Sequence, residues 1–233
     1  MSNHTAAYLA GVDVAFNNHV RKLAKVSYDG AIDIQYGVYN GFIWEDMPYG
    51  LVQKCWEGCL TVNLKPTKDG IDWLYNLKML PKKTEYGSVH RGYYKEVEKY
   101  WLKIREDIID IAKKNKIDLS RGVIVAGRSK GAGEALLLIP HLSEIAPVLA
   151  CVGIEPLKVC DYDYAAYIAS LCKNVPITTS YKNDIVTGVP FWFKHAGVHI
   201  QNGKRTLGLS VKDHKEATTR EEIWYEYMKG NET

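Results

Sequence analysis

The sequence predicts an α/β fold in which helices cover a mostly parallel central sheet. Short apolar runs rich in β-branched residues alternate with amphipathic helical segments along the chain, which is typical of layered α/β proteins. One predicted strand, Gly122–Ala126, leads directly into Gly-x-Ser-x-Gly and a helix, the layout of a nucleophile elbow. A length of 233 residues, 46% of them hydrophobic, suits one domain that spans residues 1–233.

The first third of the chain is expected to hold helices followed by short strands. Apolar residues recur at helical spacing from Ala6 to Ser27. Strands are predicted at Tyr36–Trp44, Gly50–Trp56 and Cys59–Leu64, with Gly and Pro between them. The last of these strands ends at a cluster of turn residues that begins with Lys65 and closes with Gly70.

A helical segment, a loop and a long helix are expected next. Ile71–Leu77 has apolar residues at helical spacing, whereas Pro81–Gly87 is rich in turn residues and is predicted to be a loop. From Tyr93 to Asn115 the apolar residues recur on one helical face, which predicts a long amphipathic helix.

The elbow segment has the residue types that a nucleophilic serine requires. Ser129 must occupy a strained turn that lifts its hydroxyl above the sheet, and Gly127 and Gly131 let strand and helix approach closely. The helix predicted at Ala132–Leu138 places its N-terminus behind a developing oxyanion. A phosphate-binding loop is rejected because the residues between its glycines favour a strand. A plain Gly-rich turn with a solvent-facing serine is the remaining alternative.

Strands and helices continue to alternate beyond the elbow. Asn-Gly is a strong hairpin signal, and a capping box marks a helix start. The predicted elements are a strand at Leu149–Ile154, a helix at Asp163–Cys172, a strand at Val175–Tyr181, a hairpin of Gly197–Gln201 and Arg205–Leu209 around Asn202-Gly203, and a last helix from Thr219 to near Lys229.

A serine nucleophile needs a base to take its proton and an acid to orient that base. Asp184 is the candidate acid because it follows the predicted Val175–Tyr181 strand, where chain order places the acid. An ordinary Asn-Asp turn is the alternative. The rival acids are Glu155, Asp161 and Asp163, which are judged too close to the elbow in sequence, and Asp213, which neighbours the candidate base.

His214 is the candidate base because it lies in the expected loop between the hairpin and the last helix. His199 alternates within a predicted strand, which favours a structural role, and His195 follows an aromatic segment suited to lining a pocket. His90 precedes the serine and fits a structural role.

The oxyanion of an acyl-transfer intermediate needs hydrogen-bond donors that are already in place. The Lys130 N–H follows the nucleophile at the helix start and is one candidate. Thr67, in the turn after an earlier strand, offers an N–H and a hydroxyl as a second. The alternative for Thr67 is that it only caps the next turn.

Composition restricts the partners and the location. A net charge of +3 without a basic, aromatic-rich patch argues against nucleic-acid binding, and no apolar run is long enough to span a bilayer. Cys55 and Cys59 have the spacing of half a zinc site without a second half, so no metal or other cofactor is predicted. The five cysteines are expected to be reduced thiols in a cytoplasmic protein, since no signal peptide is visible, although export by another route stays open.

Several sequence blocks occur in a fixed order along the chain. They are Leu60–Thr67 followed by Asp72-Trp73-Leu74, Val89–Tyr93, Ala126–Gly133, Tyr181–Val186 with Pro190, His195–Gly197 and Asp213-His214. Taken together they resemble the class 3, fungal-type triacylglycerol lipase family over residues 10–225.

This resemblance implies an α/β-hydrolase-type three-layer sandwich with a short lid, and a serine ester hydrolase that acts on lipid or other ester substrates. By position it implies Ser129 as nucleophile, Asp184 as acid, His214 as base, and Thr67 and Lys130 as oxyanion donors. It also implies a lid that would meet substrate or, transiently, a membrane surface, formed by Ile71, Trp73, Leu74 and Leu77 together with Leu80. A helix packed permanently on the core is the alternative for that segment.

The chain departs from the family pattern on both sides of the expected site. Lys65-Pro66 stands where the family has Arg-Gly, so the oxyanion turn is expected to differ in shape. Arg128 and Lys130 replace His and Leu, which predicts a more cationic mouth. Two alternatives follow: a phospholipase or acyltransferase on the same triad, and a hydrolase-like binding module without turnover.

Overall fold

The central feature of the fold is a sheet of seven strands. The computed structural model describes residues 40–42, 51–54, 60–64, 80–202, 204 and 206–217. The strands in these residues, including two outside the large sheet, are β1 (Asn40–Phe42), β2 (Leu51–Lys54), β3 (Leu60–Leu64), β4 (Pro81–Thr84), β5 (Gly87–His90), β6 (Val123–Arg128), β7 (Val148–Ile154), β8 (Ile177–Tyr181) and β9 (Val198–Asn202). The sheet order is β1-β2-β3-β6-β7-β8-β9, while β4 and β5 form a separate two-stranded sheet.

The sheet is parallel from β3 to β9 and antiparallel at the β1–β2–β3 edge. In the middle, Val125 of β6 pairs with Val62 of β3 on one side and with Cys151 of β7 on the other. The β6 run Val123–Ala126 is fully buried, as continuous apolar runs in parallel sheets are. Because parallel strands end at the same edge, the residues after β6, β7 and β8 are brought together there.

Helices pack on this sheet and on one another. They are α1 (Arg91–Asn115), α2 (Lys130–Ser143), α3 (Tyr162–Leu171), α4 (Ile185–Gly188) and α5 (Val211–Ala217). The predicted apolar face of α1 is buried in the core, with Val97, Trp101, Ile104, Ile108 and Ile111. Helix α2 is buried along most of its length because it lies between α1 and the strands β6 and β7. The predicted α/β fold with a mostly parallel sheet is confirmed.

The prediction of a loop at Pro81–Gly87 is wrong. This segment and the residues after it form the antiparallel hairpin β4–β5. The hairpin is fixed by distant parts of the chain, since Ser88 N donates to Asp161 Oδ2 at 2.7 Å and Val89 bridges Cys160. Those contacts carry no signal in the local sequence.

The predicted hairpin around Asn202-Gly203 is also wrong in its second half. Strand β9 pairs in parallel with β8, and residues 206–209 form no strand. Ser210 instead bridges Asp184, which turns the chain toward the end of β8. As a result His214 lies on the short helix α5 and not in a loop.

Several predictions lie outside the described residues. These are the helices of 6–27, the Lys65–Gly70 turn, the Ile71–Leu77 helix and the last helix from Thr219 to Lys229. Within the described part of the chain, no helix combines the length and the apolarity needed to cross a bilayer. The cysteines described there, Cys151, Cys160 and Cys172, are free thiols.

Candidate active site

Ser129 occupies the strained turn that joins β6 to α2. Its backbone has φ 53° and ψ −121°, a conformation that L residues rarely adopt. The tightness of the turn requires glycine at 127, because a Cβ there would meet the carbonyl oxygen of Gly131 at 2.2 Å. The Ser129 N–H donates to Ile154 O at 2.8 Å, which ties the turn to β7. The local sequence therefore folds into the predicted elbow.

Asp184 follows β8 and begins helix α4. Its Oδ1 accepts from Val186 N at 2.8 Å, so one carboxylate oxygen serves as the helix N-cap. The carboxylate is buried, and its Oδ2 points at the imidazole of His214. The N-cap bond fixes the rotamer that presents Oδ2 to the histidine.

His214 connects Ser129 and Asp184. Its Nδ1 lies 2.8 Å from Asp184 Oδ2, and its Nε2 lies 3.0 Å from Ser129 Oγ. A carboxylate only accepts, so Nδ1 carries the proton and donates, which leaves Nε2 to accept from the serine hydroxyl. The structure thus brings the three predicted side chains, separated by 85 and 30 positions along the chain, into one hydrogen-bonded series.

The segment that carries His214 is tied to the segment that carries Asp184. The Asn183 side chain holds Thr206 from both sides, donating to its Oγ1 at 2.5 Å and accepting from its N–H at 3.0 Å. Ser210 N donates to Asn183 O at 2.7 Å, and Asn183 N donates to Asp213 Oδ2 at 3.1 Å. Asn183 is therefore the anchor of the chain that leads into α5.

Glu155 is a site residue that sequence reasoning rejected. It follows β7 in a left-handed backbone conformation with φ 53°, is fully buried, and places Oε2 3.7 Å from His214 Nδ1. Burial and then the neighbouring Asp184 raise the pKa of its carboxyl well above the usual value, against the opposing effect of Arg128. A signal was present: a charged residue directly after a buried apolar strand lies at the same sheet edge as the elbow.

The cations that flank Ser129 are both opposed by carboxylates. Arg128 Nη2 lies 3.5 Å from Glu155 Oε2 and donates to His214 O at 3.4 Å. Lys130 Nζ is paired with Glu96 and lies 3.3 Å from Glu134 Oε1. Each of these two cations therefore has a carboxyl group beside it, and the more cationic mouth stays a prediction.

Of the two predicted oxyanion donors, Lys130 and Thr67, the structure describes only Lys130. Lys130 is the first residue of α2, where backbone N–H groups have no partner four residues before them in the helix. Thr67 and the preceding Lys65-Pro66 lie outside the described residues, as do the predicted lid residues Ile71, Trp73, Leu74 and Leu77. Leu80, the last residue of the predicted lid, is described and is exposed.

The rival histidines have structural roles. His199 Nδ1 and Nε2 lie 2.9 Å from Thr178 Oγ1 and Ser180 Oγ, so the ring joins β9 to β8. His195 stacks on His199 and donates from Nε2 to Thr187 O at 2.9 Å. His90 caps α1 through Nδ1, and burial lowers its pKa to about 4, which keeps the imidazole neutral.

His214 and the two carboxyl groups beside it also satisfy a simple distance test for a metal site. Ligand atoms of Glu155, Asp184 and His214 all lie within 4.8 Å of one another. The His214 Nδ1 proton is already held by Asp184, and the Arg128 guanidinium faces Glu155. A cation would have to displace that proton beside a positive charge, so the arrangement favours proton transfer over metal binding.

The chain matches a protein-family model. A sequence model described as class 3 lipase matches residues 61–194, which is more than half of the 233-residue chain. The matched range contains both Ser129 and Asp184. A search of curated proteins finds no significant match.

Comparison with solved structures finds fungal lipases. The triacylglyceride lipase of Rhizomucor miehei matches with a TM-score of 0.68 at 17% identity, covering 87% of this chain and 94% of that chain. Lipase II from Rhizopus niveus gives a TM-score of 0.62 at 18% identity, with coverages of 87% and 94%. The Rhizomucor miehei lipase in complex with its propeptide gives 0.65 at 17% identity, with coverages of 87% and 80%. At these identities the likeness shows a shared fold, of the α/β-hydrolase type.

Proposed function

The chain belongs to the class 3 lipase family and is a carboxylic ester hydrolase, and from this premise we propose that it cleaves lipid esters through Ser129, His214 and Asp184. The observation that carries the proposal is the hydrogen-bonded series from the Ser129 hydroxyl through the imidazole to the Asp184 carboxylate. This is the geometry that turns a weakly nucleophilic hydroxyl into an acyl acceptor.

In the acylation step, Ser129 Oγ attacks the ester carbonyl carbon while its proton passes to His214 Nε2. The carbonyl electrons move onto oxygen, and the resulting oxyanion is stabilised by the Lys130 N–H, with Thr67 as the second donor. When the tetrahedral intermediate collapses, the C–O bond to the alcohol breaks and the leaving alkoxide takes the proton from Nε2. Asp184 stabilises the imidazolium that exists between these two transfers.

In the deacylation step, water takes the place of the alcohol. His214 Nε2 removes a proton from the water as its oxygen attacks the acyl carbonyl. Collapse of the second intermediate breaks the bond to Ser129 Oγ, which recovers its proton from Nε2. The carboxylic acid leaves and the site returns to its starting protonation state, without any cofactor.

A neutral lipid ester is the substrate class that the described surface supports best. Exposed apolar side chains lie on the segments that follow the acid and precede the base, namely Phe191, Trp192, Leu207 and Leu209. They suit acyl chains or a transient lipid surface. One of the similar structures, that of Rhizomucor miehei, is of a triacylglyceride lipase. Arg128 and Lys130, which motivated the alternative of an anionic substrate, each already have a carboxyl group of the protein beside them.

The test uses a short-chain aryl ester and a serine-directed fluorophosphonate probe. Wild type is expected to hydrolyse the ester and to be labelled, whereas Ser129→Ala is expected to lose labelling and to lose hydrolysis by about 10⁶-fold. Ser120→Ala is the matched control, because Ser120 lies in a turn of the 3-10 helix Leu119–Arg121, remote in the fold from the elbow. Labelling of Ser129→Ala at the wild-type rate would refute the assignment.

A further inference from the structure

The imidazole of His214 has two carboxyl groups on its Nδ1 side, where a triad requires one. Asp184 Oδ2 takes the short contact of 2.8 Å, and Glu155 Oε2 lies 3.7 Å from the same nitrogen. Both carboxyls are buried, and they reach the imidazole from the ends of different strands, β8 and β7. The second carboxyl is therefore part of the environment in which the imidazole must gain and lose a proton.

The charges around Glu155 explain how a second carboxyl can be buried there. In the described part of the chain it faces Arg128, Asp184 and His214, and neither of its oxygens has a hydrogen bond. Arg128 Nη2 approaches Oε2 at 3.5 Å and also donates to the backbone oxygen of His214 at 3.4 Å. Burying a carboxyl that accepts no hydrogen bond costs free energy. If the residue only filled space in the core, an apolar side chain would be more stable there.

From this geometry, and resting on the function proposed above, we propose that Glu155 is a second positioning acid for His214. When it is ionised, its carboxylate supports the imidazolium that forms as Nε2 takes the serine proton. A shift of less than 1 Å along its side chain would let Oε2 accept the Nδ1–H, because hydrogen bonds of this type span about 2.7 to 3.2 Å. Glu155 therefore takes over the role of the acid when Asp184 is removed.

The proposal is tested with Asp184→Asn, Glu155→Gln and the double variant. Loss of the acid in a triad with a single acid lowers kcat by roughly 10⁴-fold, so Asp184→Asn is expected to lose only about 10²-fold here. Glu155→Gln alone is expected to lose less than about 10-fold, and the double variant to show the full loss of roughly 10⁴-fold. Asp184→Ala serves as a second form of the deletion, with thermal unfolding of every variant measured alongside.

The pH dependence of kcat/KM distinguishes a positioning role of Glu155 from a role in packing alone. In Asp184→Asn, activity needs an ionised Glu155, whose pKa is raised by burial, so the acid limb of kcat/KM is expected to move to higher pH. In the double variant this additional ionisation disappears from the profile. Asp107→Asn in the Asp184→Asn background is the matched control, since Asp107 is another buried acid but pairs with Lys103 on α1.

Proton NMR tests, without measuring activity, whether Glu155 can accept the hydrogen bond from His214 Nδ1. The Nδ1–H of His214 is expected to give a strongly downfield resonance in wild type and in Asp184→Asn, and to lose it in the double variant. Loss of that resonance in Asp184→Asn, or an Asp184→Asn activity that Glu155→Gln lowers no further, would overturn the proposal. Failure of the proposed function is a different result: wild type would neither hydrolyse esters nor react with the fluorophosphonate, whatever the resonance shows.

Discussion

At the scale of the residue, the backbone of Ser129 stores strain at the reactive position. A non-glycine residue at φ 53° and ψ −121° is held there by its surroundings, at a cost of about 1 to 3 kcal/mol. The surroundings are the bond from Ser129 N to Ile154 O and the close approach of Gly127 to Gly131. The strain lifts Oγ toward His214, so local instability and reactivity have the same origin.

Replacement of Ser129 by glycine is therefore expected to stabilise the fold relative to replacement by alanine. Both variants lack the hydroxyl, and they differ only in the Cβ that makes the conformation strained. Relief of strain exceeds the extra entropy of glycine in the unfolded chain, about 0.4 to 1 kcal/mol, by about 1 kcal/mol. Thermal unfolding should place the Tm of Ser129→Gly about 2 to 4 °C above that of Ser129→Ala. An equal or lower Tm would show that the turn is not strained.

At the scale of the element, the short helix α5 is positioned by one asparagine. Asn183 bonds Thr206 twice through its side chain and meets Ser210 and Asp213 through its backbone. Helix α5 is only seven residues long, too short to be stable without such tertiary contacts. The position of His214 thus depends on hydrogen bonds made by a different element.

Replacement of Asn183 by alanine is expected to lower kcat by about 10- to 100-fold, because a displacement of about 1 Å at a catalytic base has effects of this size. KM should change little, since the substrate is not contacted. Asn174→Ala is the matched control: Asn174 also donates from its side chain to a backbone oxygen, Leu149 O at 2.8 Å, but at the other end of the sheet. Steady-state kinetics that give wild-type kcat for Asn183→Ala would contradict this account.

Element prediction succeeded where the signal was local and apolar. Strands β3, β6 and β7 and the helix α1 were predicted within a few residues, because buried runs and a 3.6-residue period report burial directly. It failed where distant contacts decide the outcome. The β4–β5 hairpin has few apolar residues and is bound to Asp161 through Ser88. The Asn-Gly signal at 202 is overridden by the pairing of β9 with β8.

The candidate site was predictable in part for the same reason. Chain order and family resemblance identified Ser129, Asp184 and His214, which the structure brings together. Glu155 was rejected for its closeness to the elbow in sequence, although the parallel pairing of β6 with β7 puts their ends side by side. Sequence separation is therefore a poor guide to distance at the edge of a parallel sheet. The lid, the second oxyanion donor and the cytoplasmic location stay predictions.

At the scale of the whole molecule, two buried ionisable groups oppose each other in the pH dependence of stability. Burial raises the pKa of Glu134 from 4.5 to about 8, although Lys130 lowers it. Between these values the native state keeps a proton that the unfolded chain has released, so the free energy of unfolding falls as pH rises. His90 acts in the other direction. Its pKa is lowered by burial from 6.5 to about 4, so its contribution falls as pH decreases through that range.

Replacement of Glu134 by glutamine is expected to flatten the alkaline side of the stability profile. The variant cannot ionise, so its free energy of unfolding relative to wild type should rise from pH 4.5 to about 8, with an upper limit of about 5 kcal/mol at 1.36 kcal/mol per pKa unit. Urea unfolding at each pH measures the difference. His90→Asn, which keeps a capping side chain, is the control of opposite sign and should flatten only the acid side, between pH 6.5 and about 4. If the Glu134→Gln and wild-type curves stayed parallel, the carboxyl at 134 would have to be ionised within the folded protein, and the ion pairs of Lys130 with Glu96 and Glu134 would outweigh the cost of burial.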